Sequence, residues 1–473
     1  MSEWLEEANL SQVQQMFASG ALTAEELVFQ YLDQVASRPD LRAVCEVNPD
    51  APAIAAALDR ARREGRVRGP LHGIPVLLKD NIDTADHLHT SAGSLAIAEH
   101  VARRDSQVAA QLRRAGAVIL GKASMTEWAN FMTEGMPSGY SSRVGQVRNA
   151  YGPFDPGGSS AGSGVAVSAN LTMLAIGTET SGSILNPASQ NAVVGVKPTI
   201  GLVSRAGIVP IAHSQDTAGP MARSVADAAT LLWAIAGRDR RDPATWSGQT
   251  LAAPQFDPAA LRGVRIGVPR KGFLEDLPPA ELAIFERALD ALRSAGATVV
   301  DPAEIPTAQA QWTFDVLVHE FKSDLNAYLR TVRPELGIRT MRDLIAFNDR
   351  HRRQMLRYGQ SLLLAAEATS GTLTEPDYLR ARRNDLRWSR AEGIDATLAR
   401  DNLAALAFPS SYGADIAARA GYPSVCVPGG YTEEGEPVGL TLTGTAYSEA
   451  RLLELAYAFE QHTAARRPPA AAR

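Results

Sequence analysis

Residues 156–184 read PGGSSAGSGVAVSANLTMLAIGTETSGSI. Two glycine- and serine-rich clusters flank an apolar run, VAVSANLTMLAI. A flexible linker has no reason to carry such a run, since buried apolar residues fix a chain rather than free it. A phosphate-cradling loop needs a lysine after its glycines, as in GxxxxGK[ST], and none follows GGSSAGSG. No G-x-G-x-x-G fingerprint lies there either. The remaining reading is catalytic. Glycines admit close backbone approach and positive φ, and serines supply hydroxyls. A run such as TSGS can also aim consecutive backbone N–H groups at one developing oxyanion.

Outward from this stretch, short apolar runs alternate with helical patterns. GIPVLLKD and AVILGKA read as strands around the helical SQVAAQLRRAG, and VVGVKPT precedes the helical SVADAATLLWAIAG. Such alternation predicts a largely parallel sheet covered by helices. RIGVPR, a helix from about Glu281 to Ala295, and ATVVD continue it. ALAFPS, PSVCVPGGY and GLTLTGT then read as late strands before the amphipathic SEARLLELAYAFEQHT. The first 65 residues read as helices, with a capping box at Thr23–Glu26. Residues 237–258 are polar and breaker-rich, a connection. The expected organisation is a helical segment over 1–65 packed on the core, one catalytic domain over 66–465 with a helix-rich insertion at 309–399, and a frayed tail over 466–473.

The chain has 473 residues, 45% hydrophobic and 21% charged, with a net charge of −5. That balance suits a globular protein and gives no basic face for nucleic acid or anionic lipid. Cys45 and Cys426 are too few for a disulfide framework or a zinc site. MSEWLEEANLSQ lacks the basic and apolar regions of a secretory signal, and no stretch approaches the roughly 20 apolar residues that span a bilayer. A cytoplasmic protein is expected.

A serine hydroxyl needs a base to become a nucleophile. No histidine lies within either serine cluster; His213, in IAHSQDT, is the nearest in sequence. The alternative base is a lysine kept neutral by burial. Lys79 ends the strand PVLLK, where α/β sites are commonly built. Lys122 in GKAS and Lys197 in VKPT also follow strands and are read as structural. Ser160 is expected to N-cap the helix that begins at AGSGV, and Ser163 to be a small packing residue.

The order GIPVLLKDNIDT, PGGSSAGSG, GTETSGSI, GVKPTIGLVSRAG, DTAGPMARSVADAA resembles the amidase signature family from about Gly69 to Ala229. The similarity continues through EFKSDLNAYL and AGYPSVCVPGGY to the last helix. The resemblance implies α/β/α layers around a mixed twisted sheet and a Ser–cis-Ser–Lys triad. Within it Lys79 matches the base, Ser159 the serine that follows a cis peptide bond, and Ser183 the nucleophile 24 residues later. The chain would leave the site, run helix then strand, and return. Thr180, Ser181, Gly182 and Ser183 match the backbone oxyanion hole. The implied activity is hydrolysis of a carboxylic amide without metal or cofactor. The expected partner is a small-molecule or peptide amide; a homodimer is compatible with the sequence. Two departures stand out. Leu185 occupies a position where many members carry Arg, and Ser181 one where they carry Gly or Asp. Leu185 weighs against the A-type glutaminase component of a tRNA-dependent amidotransferase and is closer to peptide-amidase-like members. A non-catalytic binding protein on the same fold is the other alternative. Met136, in NFMTEGMPSGYSS, and Leu185 are expected to line the substrate pocket, and Arg205 is a candidate to supply a missing positive charge there.

Overall fold

The computed structural model describes residues 5–247, 249 and 251–470. Most of the chain organises around one sheet. Its strands are β1 (Val44–Val47), β2 (Pro75–Lys79), β3 (Val118–Ala123), β6 (Leu174–Glu179), β7 (Val194–Lys197), β8 (Thr217–Ala222), β9 (Arg265–Gly267), β10 (Thr298–Val300), β11 (Ala405–Pro409), β12 (Ser424–Tyr431) and β13 (Pro437–Thr443). The numbers β4 and β5 belong to a separate two-residue hairpin at Tyr140–Ser141 and Gly145–Gln146. The spatial order is β1-β3-β2-β6-β8-β7-β12-β13-β11-β9-β10. Helices flank it, giving α/β/α layers, and a continuous apolar core runs between sheet and helices. No helix among the described residues is long and apolar enough to cross a membrane.

The expectation of a largely parallel sheet is corrected. Only β2–β3, β2–β6, β9–β10 and β9–β11 pair in parallel; the other joins are antiparallel. The late strands show why. Only residues 432–436 separate β12 from β13, too few for the crossover that parallel pairing requires. Mixed strand direction is the outcome, as the family resemblance implies.

A second correction concerns the first 65 residues. The helices Leu10–Ser19, Ala24–Ser37 and Ala51–Arg63 form, and Thr23 and Glu26 make the expected capping box. Between them, however, Val44–Val47 adds an edge strand antiparallel to β3. The approach is close enough that a Cβ on Gly121 of β3 would lie 2.2 Å from the Glu46 carbonyl oxygen, so only glycine fits. The connection at 237–258 holds one short turn, Pro243–Ser247, and positions 248 and 250 lie outside the described residues.

The tail is not frayed throughout. Arg466 forms an ion pair with Glu7 at 2.6 Å and donates to the carbonyls of Ala192 and Ser168. Its guanidinium thus bonds carbonyls of two buried residues as well as Glu7, which ties both chain ends together. Residues 1–4 and 471–473 lie outside the described residues.

The 309–399 insertion is helical: Asp315–Leu329, Met341–Arg350, Arg352–Met355, Ser361–Glu367, Pro376–Ser389 and part of Asp395–Asp401. It buries its own apolar cluster, with Phe321 and Leu325 against Trp128, Phe131 and Met136.

Candidate active site

β2, third from one edge of the sheet and flanked by parallel β3 and β6, delivers Lys79 at its end, where it pairs with Ala123 of β3. The lysine side chain is fully buried. Nζ donates to Ser159 Oγ at 2.7 Å and to the Thr178 carbonyl at 3.1 Å. Burial disfavours the ammonium and pulls its pKa down to about 7, against the opposing pull of Glu179 and Asp216. A large neutral fraction is therefore available near neutral pH, which a general base requires.

Ser159 follows a cis Gly158–Ser159 peptide bond and has no exposed surface. The next residue joins the two serine clusters: Ser160 N–H donates to the Ser183 carbonyl at 3.2 Å. Ser160 stands at the N-cap position of the Ala161–Ser168 helix, but its side chain does not cap it. Instead Oγ donates to Thr178 O at 3.0 Å and accepts from Thr178 N at 3.2 Å. The β2–β6 ladder ends at Leu78↔Ile176, so beyond it the Thr178 backbone needs other partners. Ser160 and Lys79 supply them. Ser163 Oγ bonds the Ile176 carbonyl in tight packing, as expected.

β6 then runs into residues 180–183. Gly182 has φ +79°, a turn that non-glycine residues rarely adopt. Among the described residues, the backbone N–H groups of Ser181, Gly182 and Ser183 meet no acceptor. Ser183 retains 7% exposure where Lys79 and Ser159 have none, so of the three it is the one a substrate can reach. No hydrogen bond joins the Ser159 and Ser183 hydroxyls among the described residues; their link is the backbone bond from Ser160.

Two carboxylates that residue type and spacing did not single out frame this segment. Glu179 Oε2 accepts from Ile184 N at 2.7 Å and Leu185 N at 3.0 Å. Asp216 Oδ1 accepts from the Thr180 hydroxyl at 2.5 Å, while its Oδ2 accepts from Ile211 N at 2.9 Å and Ala212 N at 3.0 Å. Burial raises the Asp216 pKa to about 7, only partly offset by these bonds. Asp216 opens the DTAGPMARS motif, the one signal that pointed to it.

A cavity of about 350 Å³ adjoins Thr180 and Asp216, with Asn81, His213, Asp324 and Tyr328 among its walls. The last two come from the insertion helix. Arg205 also faces this cavity, but Asp242 holds its guanidinium from two sides, at 2.8 and 2.5 Å. Neither Met136 nor Leu185, both expected at the substrate pocket, is among the residues that line it. Met136 belongs to the apolar cluster beneath the insertion. Leu185 opens the Leu185–Gln190 helix and is wholly buried in the main core.

His213 is no partner of the serines. Its Nδ1 lies 2.9 Å from Asp324 and 3.4 Å from Glu320, and the Asp324 bond raises its pKa. These three side chains could hold a cation by proximity. Their oxygens, however, already accept the backbone N–H groups of His213 and Ser214. Lys122 and Lys197 are buried and bond carbonyl groups, Ile82 O at 2.8 Å and Tyr422 O at 2.5 Å, as structural lysines do.

The amidase family profile matches residues 26–453. A peptide amidase from Stenotrophomonas maltophilia shares the fold with a TM-score of 0.92 and 49% identity, over 98% of each chain. A probable amidase of Arabidopsis thaliana is 40% identical, over 98% of this chain and 92% of its own. The A-type component of a glutamyl-tRNA(Gln) amidotransferase from Symbiobacterium thermophilum is 34% identical over 96% of both chains. Fold and relatives together define an amide hydrolase. The chain belongs to the amidase family.

Proposed function

We propose that this amidase cleaves uncharged carboxylic amides through an acyl-enzyme on Ser183, with Ser159 and Lys79 as its proton relay. The observation that carries the reading is the 2.7 Å contact between a fully buried Lys79 Nζ and Ser159 Oγ. Neutral Lys79 takes the Ser159 proton as Ser159 takes that of Ser183, and the Ser183 oxygen bonds to the amide carbon. The N–H groups of Thr180, Ser181, Gly182 and Ser183 stabilise the oxyanion, each such donor typically contributing a few kcal/mol. On collapse the C–N bond breaks and the proton returns from Lys79 through Ser159 to the leaving nitrogen. Ammonia or an amine departs and the acyl group stays on Ser183 as an ester. Water, deprotonated along the same route, then releases the acid.

The preference for uncharged substrates rests on the cavity. A substrate carboxylate desolvated there needs a cation, and the two guanidiniums that line the cavity are already engaged, Arg205 by Asp242 and Arg241 by Asp239. Asp216 and Asp324 add negative character to the same walls. This disfavours the glutaminase reading. The likeness to a peptide amidase supports primary amides of peptides as the first substrates to try.

A fluorophosphonate should label Ser183 alone, and Ser183→Ala should lose both label and turnover with the fold intact. A label on another residue, with turnover retained, overturns the reading. In a panel scored by ammonia release, a neutral alkyl, aryl or peptide amide should exceed free glutamine at least tenfold in kcat/KM. Glutamine turnover at an equal rate sinks the substrate preference.

A further inference from the structure

We infer that Asp216 is the positioning residue of the oxyanion segment, acting through the hydroxyl of Thr180. The inference rests on the proposed role of residues 180–183.

The ladder between β6 and β8 places the two residues. Its last pair is Glu179↔Thr217, so Thr180 and Asp216 face each other one step past the ladder. Beyond that step two backbone bonds hold the segment's far carbonyls, Asn186 N to Gly182 O at 2.7 Å and Ser160 N to Ser183 O at 3.2 Å, and neither reaches Thr180. Around Gly182 an added Cβ would meet nothing nearer than 3.7 Å. Side-chain bonds hold the segment at its two ends. At the far end, Glu179 Oε2 holds the N–H groups of Ile184 and Leu185. At the near end the corresponding bond is Thr180 Oγ1 to Asp216 Oδ1, at 2.5 Å.

Asp216 is itself anchored. One oxygen, Oδ2, takes two backbone donors of the 211–216 turn, Ile211 N and Ala212 N, which leaves Oδ1 for Thr180. A residue that served only the turn would need only the first oxygen. The turn is braced from the insertion as well. Asp324 accepts from His213 N at 2.7 Å and Glu320 from Ser214 N at 2.9 Å, and the Tyr378 hydroxyl in turn donates to Glu320 at 2.9 Å. The near end of the oxyanion segment is thereby referred to the insertion helix through a continuous hydrogen-bonded path, and the cavity lies along it.

Donors that stabilise charge only in the transition state should affect kcat and kcat/KM together and leave KM nearly unchanged. The test compares Thr180→Val, Thr180→Ser, Asp216→Ala and the double variant Asp216→Ala/Thr180→Val on one neutral primary amide. Thr180→Val should lower kcat about ten- to a hundredfold with KM within about threefold. Thr180→Ser, which retains the hydroxyl, should recover at least tenfold of a hundredfold loss. The double variant should be no worse than Asp216→Ala alone, because both changes remove one bond. Unchanged kcat in Thr180→Val, a loss confined to KM, or multiplying losses in the double variant would each overturn the inference. If Asp216→Ala does not fold, the Thr180→Val and Thr180→Ser pair decides. Ser183→Ala separates the two claims. If it retains turnover, the nucleophile assignment fails. If it is dead while Thr180→Val matches wild type, only the positioning role fails.

Discussion

Lys79 ends β2 and Lys122 is the last residue but one of its parallel neighbour β3, both fully buried, yet they face different chemistry. Lys122 pairs in register with Leu78 and Lys79 with Ala123, so the two side chains leave opposite faces of the sheet. Burial lowers the pKa of both. Lys122 points at the Ile82 carbonyl and the Thr90 hydroxyl, among the carboxylates Asp80 and Asp83. Lys79 points at Ser159, beside the second serine cluster. Desolvation thus makes a lysine able to lose its proton, and the group it faces decides whether the proton goes anywhere useful.

The largest expected effect breaks the pair apart. Lys79→Met should lower kcat/KM about a thousandfold or more, since the serines lose their base. Lys122→Met should retain kcat within a few-fold and lose stability instead. It strips a buried carbonyl of its donor and removes a positive charge beside the buried acids Asp80 and Asp83, at a cost of about 1–3 kcal/mol. Activity assays and thermal melts on the two variants decide it. Equal kinetic damage from both would show that the contrast between the faces carries no functional meaning.

How much of this could be read from the sequence follows from what kind of fact each part is. Lys79, Ser159 and Ser183 stand out in the quoted motifs as candidates, and their proposed roles come from the family resemblance. Leu185 was legible as a departure, but its direction was not. A position on a six-residue helix does not reveal which face it turns, and this one turns into the core. Glu179 and Asp216 are carboxylates at strand ends, indistinguishable in sequence from solvated charges until the fold brings backbone donors to them. Val44–Val47 is too short to outweigh the helical patterns around it, and apolar runs do not encode strand direction. Arg466 sits in a stretch whose composition, ARRPPAAAR, says tail, and only its meeting with Glu7 across the fold says otherwise.

A smaller effect sharpens the comparison through pH. On the proposed mechanism Lys79 acts as a base only when neutral, so kcat/KM should be high above its pKa of about 7 and fall as pH drops through it. Asp216 also lies near 7, so wild type alone does not separate them. Asp216→Asn does. The Asp216 charge holds the Lys79 pKa up, and removing it should move the acid limb to lower pH. Were the limb the ionisation of Asp216, the same substitution would erase it instead.

The smallest effect concerns stability. The folded Lys79 has a pKa of about 7 against an ordinary 10.5, so between these values the unfolded chain binds one more proton than the folded one. Stability therefore rises with pH across that window, and below about 7 the full cost of the buried ammonium is present. Lys79→Met has no proton to bind and lacks this dependence. The Thr178 carbonyl still accepts from Ser160 Oγ in the variant, so no buried carbonyl is left without a donor there. The melting temperature of Lys79→Met relative to wild type should accordingly be higher at pH 6 than at pH 9, by a few degrees at most for a chain of this size. Lys122→Met, which loses its carbonyl partner, should melt below wild type at pH 7. A Lys79→Met difference that is flat with pH, or larger at pH 9, would show that the buried lysine is not destabilising the fold, and that its low pKa is not maintained at the expense of stability.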